Sequence, residues 1–250
     1  MVDTHQFVFD PEWAVAVVIA AVDYAVVARA HRRRGIPVPW YRWACFMSGL
    51  ALISIALFSP VEHLALTSML SFHLLQNVML ADWAPPLLVL GLTPAMRAAV
   101  AARGGRWFAR LTRPRLVLPF WLLVWYGVHL PAFYDFALRH PLMLNIEHLL
   151  LLGAGLLFWW PVFSELPQHL STALKLAYLG AAYVGSAFLS LALIFSSSAF
   201  YGFYEAAPRL WGLSPDKDQN LGGILMNGEQ MLVFFAALSY FLMRLLSEEE

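Results

Sequence analysis

Charge is scarce in this chain of 250 residues: Asp, Glu, Lys and Arg make up 13% of it, 60% is hydrophobic and the mean hydropathy is +0.65. Soluble domains carry roughly 25% charge, so an ordinary soluble domain is excluded and an integral membrane protein is expected. Sixteen basic residues balance sixteen acidic ones, with no basic stripe of the kind that holds nucleic acid, so no nucleic-acid partner is expected. Cysteine is nearly absent. Cys45 alone excludes an intrachain disulfide framework and any CxxC metal or redox motif, so a metal would need His, Met or carboxylate ligands. The first ten residues, MVDTHQFVFD, lack the basic stretch of a secretory signal, and the first hydrophobic segment is expected to be retained as a helix. No repeat and no low-complexity linker divides the chain, which reads as one bundle domain over residues 1–250.

What is present is a series of long apolar runs. About 20 apolar residues cross about 30 Å of hydrocarbon, and seven stretches qualify: about 12–30, 42–58, 65–90, 116–130, 142–163, 173–195 and 221–246. The predicted fold is all-α, an integral membrane seven-helix bundle. An external N-terminus and a cytoplasmic C-terminus place thirteen of the sixteen Lys and Arg residues inside and leave Arg139, Arg209 and Lys217 outside, as the positive-inside bias requires. Most of the tryptophans fall near span ends, like an aromatic belt. The external segment 196–223, rich in Phe and Tyr, is expected to cover the outer mouth of the bundle.

The third span raises the main question, because residues 68–91 place His73, Gln76, Asn77 and Asp82 in a run that otherwise reads as lipid-soluble helix. Met69, His73 and Asn77 follow at i, i+4 and i+8 and share one helix face. Span five begins MLNIEHLL, with Glu147 beside His148, and span seven contributes Met226. At 1.5 Å per residue, His73 lies about 12 Å below the outer end of its helix and His148 about 9 Å, so the two share a depth. Taken singly, an intramembrane His is as readily an interhelical hydrogen-bonding contact as a ligand, and a Met is ordinary core filler. His5 and His31 read as solvated, His140 and His169 as surface turn residues, and Asp23 and Asp82 as caps or helix contacts. Intramembrane ionisable groups are costly and face a bundle interior or wet cavity, which makes Glu147 a functional candidate. Imidazole nitrogens with thioether sulfurs suit copper, above all Cu(I), better than hard ions.

Three blocks resemble the CtaG-type family of cytochrome c oxidase (caa-type) assembly factors: SFHLLQNVMLADWAPPLLVLG at 71–91, GVHLPAFYDFALRHPLMLNIEHLLLLGAGLLFWWPV at 127–162, and DQNLGGILM at 218–226. The resemblance implies a multi-pass protein of the bacterial cell (inner) membrane that is not an enzyme. It would help assemble a haem–copper oxidase by binding copper on the external side and passing it to oxidase subunits, with an external copper carrier as a further partner. It implies His73, His129 and His148 as family histidines, with Glu147, Met69 and Met226 around them and Asp218 and Gln219 in the last block. Asn77 stands where the family carries a second histidine, and Leu74 where it has Met. Asn77 is therefore assigned a supporting role, as are Asp218 and Gln219. Two other classes compete: a membrane b-type haem protein with His73 and His148 as axial ligands, and a transporter or proton pathway through Asp23, Asp82, Glu147 and Glu229.

Overall fold

The computed structural model describes residues 3–248. Among them every regular element is helical. Asp10 opens α1 (Pro11–Arg33) by accepting from the backbone of Glu12 and Trp13, and Pro11 sits where a missing N–H costs nothing. α2 (Trp40–Phe58) runs back beside it, and the short α3 (Pro60–Thr67) turns the chain at the far end. The third span is α4 (Leu70–Val78), a π-turn (Met79–Trp83) and α5 (Ala84–Gly91) in series. The amphipathic α6 (Pro94–Leu111) carries four arginines with an exposed Trp107, and Gly105 at φ +53° kinks it. α7 (Pro114–Val128) and α8 (Pro131–Arg139) follow, then α9 (Pro141–Phe163), α10 (Thr172–Phe195), the short α11 (Gly202–Ala206) and α12 (Pro215–Glu248).

Among the described residues six helices are long and apolar enough to cross a membrane, and α7 with α8, bent by 68°, makes a seventh if the pair counts as one span. The expectation of one straight fourth span at 116–130 needs correcting: α7 has 15 residues and the chain turns at His129, Leu130 and Pro131. Two other boundaries move. The third span starts at Leu70 rather than 65, because α3 is a separate helix ended at Ser68. The last helix starts at Pro215 rather than 221, so Asp218 to Gly223 lie inside it and the external segment is correspondingly shorter.

Pro85 and Pro86 do not end the third span. They occupy the first turn of α5, directly after the π-turn, where their missing N–H groups are tolerated. Pro85 and Pro86 have no N–H to offer the Ala81 carbonyl, and α9 closes against it at Gly155, where any added Cβ would collide with that carbonyl and come 2.7 Å from Pro85 Cγ.

The alternation of helices gives the bundle two ends. One, the histidine end, gathers the start of α4, α9 and α12 with the end of α7; the other, the arginine end, gathers the ends of α1, α5, α9 and α12, the start of α2 and α10, and α6. The third span lies at the centre: 78% of it is buried inside the protein, against 11% for α1. That contrast explains its polar residues, which face other helices and not lipid. A ladder of aromatic rings fills the middle of the core, with Phe158 stacked between Trp121 at 4.7 Å and Tyr178 at 4.8 Å.

Candidate functional site

The site is built on the start of α4. Met69, the residue before it, supplies no side-chain cap. Asp218 of α12 reaches across instead, accepting from the Leu70 N–H at 2.7 Å and the Ser71 N–H at 3.3 Å. A carboxylate is stabilised there by the free N–H groups and the positive end of the helix dipole. Four residues on, Gly222 lets α12 approach closely, since a Cβ would stand 2.7 Å from Leu74 Cδ1 and 3.0 Å from Ser71 Cα. Met226 and Gln230 continue this stripe at i+4 spacing. Met226 is wholly buried in the core, and Gln230 donates to Asp82 Oδ2 in the π-turn at 2.8 Å.

His73 is fully buried one turn inside α4. Its Nδ1 lies 3.0 Å from the Tyr204 hydroxyl, which in turn lies 2.6 Å from the Ala65 carbonyl. A carbonyl only accepts, so the Tyr204 hydroxyl donates to Ala65 and the His73 Nδ1–H donates to Tyr204. Burial pushes the Tyr204 hydroxyl well above its ordinary range, so that its proton stays in place. On the other side of the ring, Nε2 faces Glu147 Oε1 at 3.4 Å, and the same oxygen accepts from Asn77 Nδ2 at 3.2 Å. A neutral ring with its proton on Nδ1 would turn a lone pair towards a carboxylate lone pair. The contact is attractive only when the pair holds one more proton, on ring or carboxyl, or a metal cation in its stead.

His129 closes α7 and donates from Nδ1 to the Trp125 carbonyl at 2.6 Å, which leaves its Nε2 as the lone-pair nitrogen. Tyr201 holds the turn by donating to the His129 carbonyl at 3.1 Å. The His148 ring centroid is 6.3 Å from that of His73 and 6.5 Å from that of Trp13. Both ring nitrogens of His148, Nε2 of His129 and Oε2 of Glu147 are buried without a hydrogen-bond partner in the protein. Buried polar atoms are usually hydrogen-bonded, so four such atoms close together at this end of the bundle call for an explanation.

The tertiary structure thus brings His73, Asn77, Glu147 and His148 together and puts His129 beside them through Tyr134, whose ring lies 4.7 Å from His73 and 5.8 Å from His129. Gln219 does different work: its side chain accepts from Phe200 N–H at 2.7 Å and donates to the Ser198 carbonyl at 3.1 Å, tying down the segment before α11. Among the carboxylates of the proton-pathway reading, Asp23 is exposed on the outer face of α1 and Asp82 is paired with Gln230. Sequence reasoning missed Tyr134 and Tyr204 as members of the cluster. Tyr134 is the last residue of the block HLPAFY, and Tyr204 lies in the aromatic external segment. Among the described residues, no three His, Cys, Asp or Glu side chains are arranged as a preformed metal centre.

The family described as cytochrome c oxidase caa3 assembly factor matches residues 22–248, nearly the whole chain. The chain belongs to that family. It is also similar to an uncharacterized protein of Mycobacterium bovis (strain ATCC BAA-935 / AF2122/97) and to one of Mycobacterium tuberculosis (strain CDC 1551 / Oshkosh). Each is 28% identical over 235 residues, an alignment covering 86% of this chain and 35% of the relative. The chain therefore spans about a third of the length of the curated relatives it matches. No solved structure matches it. The long apolar helices indicate a multi-pass membrane protein.

Proposed function

We propose that the protein carries copper as cargo for a haem–copper oxidase under assembly, receiving it at the histidine end, on the outside of the bacterial cell membrane. The observation that carries this reading is the His73–Glu147 contact, which is attractive only with a shared proton or a metal cation, next to a His148 ring with two unpartnered nitrogens. Imidazoles offered in pairs, and not as a closed three-ligand cage, suit a soft ion that must leave again, and Cu(I) is the ion such donors prefer. Met69, just before α4, and Met226, within α12, are both buried and would supply thioethers, while Glu147 and Asn77 orient the His73 ring. Nothing in this cycle needs a bond to be made or broken in a substrate, so the role is one of holding and release. Thirteen of sixteen basic residues belong to the arginine end and support a cytoplasmic position for it, with the C-terminus inside. The partners are oxidase subunits and an external copper carrier.

Titration of the detergent-purified chain with Cu(I) against a chromophoric chelator tests the reading. Equal affinity in wild type and His73→Ala would overturn it. The same preparation should show no Soret band, whose presence would instead favour haem.

A further inference from the structure

A row of rings crosses the histidine end from the edge of the bundle inwards. Between ring centroids, Trp13 of α1 lies 6.5 Å from His148, His148 6.3 Å from His73, His73 4.7 Å from Tyr134, and Tyr134 5.8 Å from His129. Trp13 is the partly exposed member of this row, and the other four rings are buried. A latch between the starts of α1 and α9 holds the indole: Trp13 Nε1 donates to Asn145 Oδ1 at 3.0 Å, and Asn145 Nδ2 donates to Glu12 Oε2 at 3.2 Å. Asp10 accepts from the Trp13 backbone N–H at 3.2 Å, so two carboxylates stand at this edge.

The latch is weak by construction. Its hydrogen bonds lie within reach of solvent, where the net contribution of each is small. α1 is the least buried of the six candidate spans, at 11%, and segments of low burial are those that open locally. Trp13 also borders an apolar cavity of about 530 Å³ between α1, α2 and α9, together with Val17, Leu50, Ile53, Leu149 and Leu152. An indole that turns away from His148 therefore has an apolar space to enter.

Building on the copper reading, we propose that Trp13 is the gate of the cargo site. The cation enters between the starts of α1 and α9 and meets His148 first, once the indole leaves Asn145 and swings into the apolar cavity. Neither nitrogen of His148 has a hydrogen bond to give up, whereas His73 is engaged by Tyr204 and Glu147. Asp10 and Glu12 draw cations to this mouth. A cation at Glu12 competes with Asn145 for the same oxygen, which loosens the latch.

Carbethoxylation of the detergent-purified full chain by diethylpyrocarbonate, followed at each histidine by peptide mass spectrometry, measures access without copper. Wild type should modify the exposed His140 quickly and the buried His148 slowly. Asn145→Ala should speed His148 about fivefold, the effect of losing one net hydrogen bond, and Trp13→Ala should speed it further. In both variants the buried His129 should stay as slow as in wild type, which separates an opened gate from a loosened fold. Trp13→Ala should also speed Cu(I) uptake and release alike, because a gate that is not a ligand alters rates and not affinity. His148 no faster in Trp13→Ala, or His129 accelerated along with it, would overturn the gate. Acceleration at His148 in a protein that takes up no Cu(I) would uphold the gate and overturn the copper reading, and Cu(I) binding without the acceleration would do the reverse.

Discussion

The two ends of the bundle solve opposite problems. At the histidine end, polar atoms are packed in a dry core: His73, Glu147 and His148 are each at most 1% exposed, and several of their nitrogens and oxygens have no partner. At the arginine end, charged groups stand round an open space with apolar walls. A dry cluster with spare lone pairs admits something small and positive. The contrast teaches that a membrane bundle places polar groups either in a dry packed core or round an open space, and that the placement sets what can approach them.

The strongest way to break the comparison is Glu147→Ala. Removing the carboxylate leaves His73 and Asn77 facing nothing, and breaking a buried pair of this kind costs about 3–5 kcal/mol. Thermal unfolding in detergent should drop accordingly, and Cu(I) retention should vanish with it. His73→Ala is milder for the fold and sharper for function: Cu(I) affinity should fall at least about tenfold, while Asn77→His retains or tightens it. Both are read in the chelator competition.

Glu62 gives a pH-dependent test at the histidine end, outside the spans. It is buried in α3 and accepts from Gln76 Nε2, and burial pushes its carboxyl up from 4.5 to about 8. A raised carboxyl stabilises the fold in its protonated form. That contribution is complete below the ordinary value of 4.5 and is lost as pH rises through about 8. The unfolding temperature of wild type should therefore decline across this window relative to Glu62→Gln, whose profile should be flatter. Parallel profiles would show that Glu62 does not titrate there. The smallest effect is expected for Asp218→Ala, which removes the borrowed cap of α4 and should cost about 1 kcal/mol of stability. A loss of copper larger than this destabilisation would place Asp218 nearer the cargo than its hydrogen bonds to Leu70 and Ser71 suggest.

Much of this was legible in the chain itself, and the failures have identifiable causes. Spans one, two, five and six were found within a few residues because their apolar runs are long and bounded by Pro, Gly or charge. The break in the fourth span was not, since VHLP reads as apolar while Pro131 starts a new helix at an angle. The start of α12 was misplaced because PDKDQN looks like a polar loop; Asp218 is drawn into the helix by the N–H groups of α4, and Gln219 by the segment before α11. The π-turn before Pro85 and Pro86 was not read, because helical periodicity does not record it.

By itself the sequence determined that the protein lies in a membrane and that its candidate spans number about seven, because hydropathy acts locally along the chain. It also carried the family blocks. Only the tertiary structure decided which polar groups meet. Asp218 and Leu70 are 148 residues apart, Asp82 and Gln230 also 148, and His73 and Tyr204 131, and no local rule links them. The physical reason is that a buried polar atom must find a partner wherever in the chain one exists, and the choice is made by helices packing side by side.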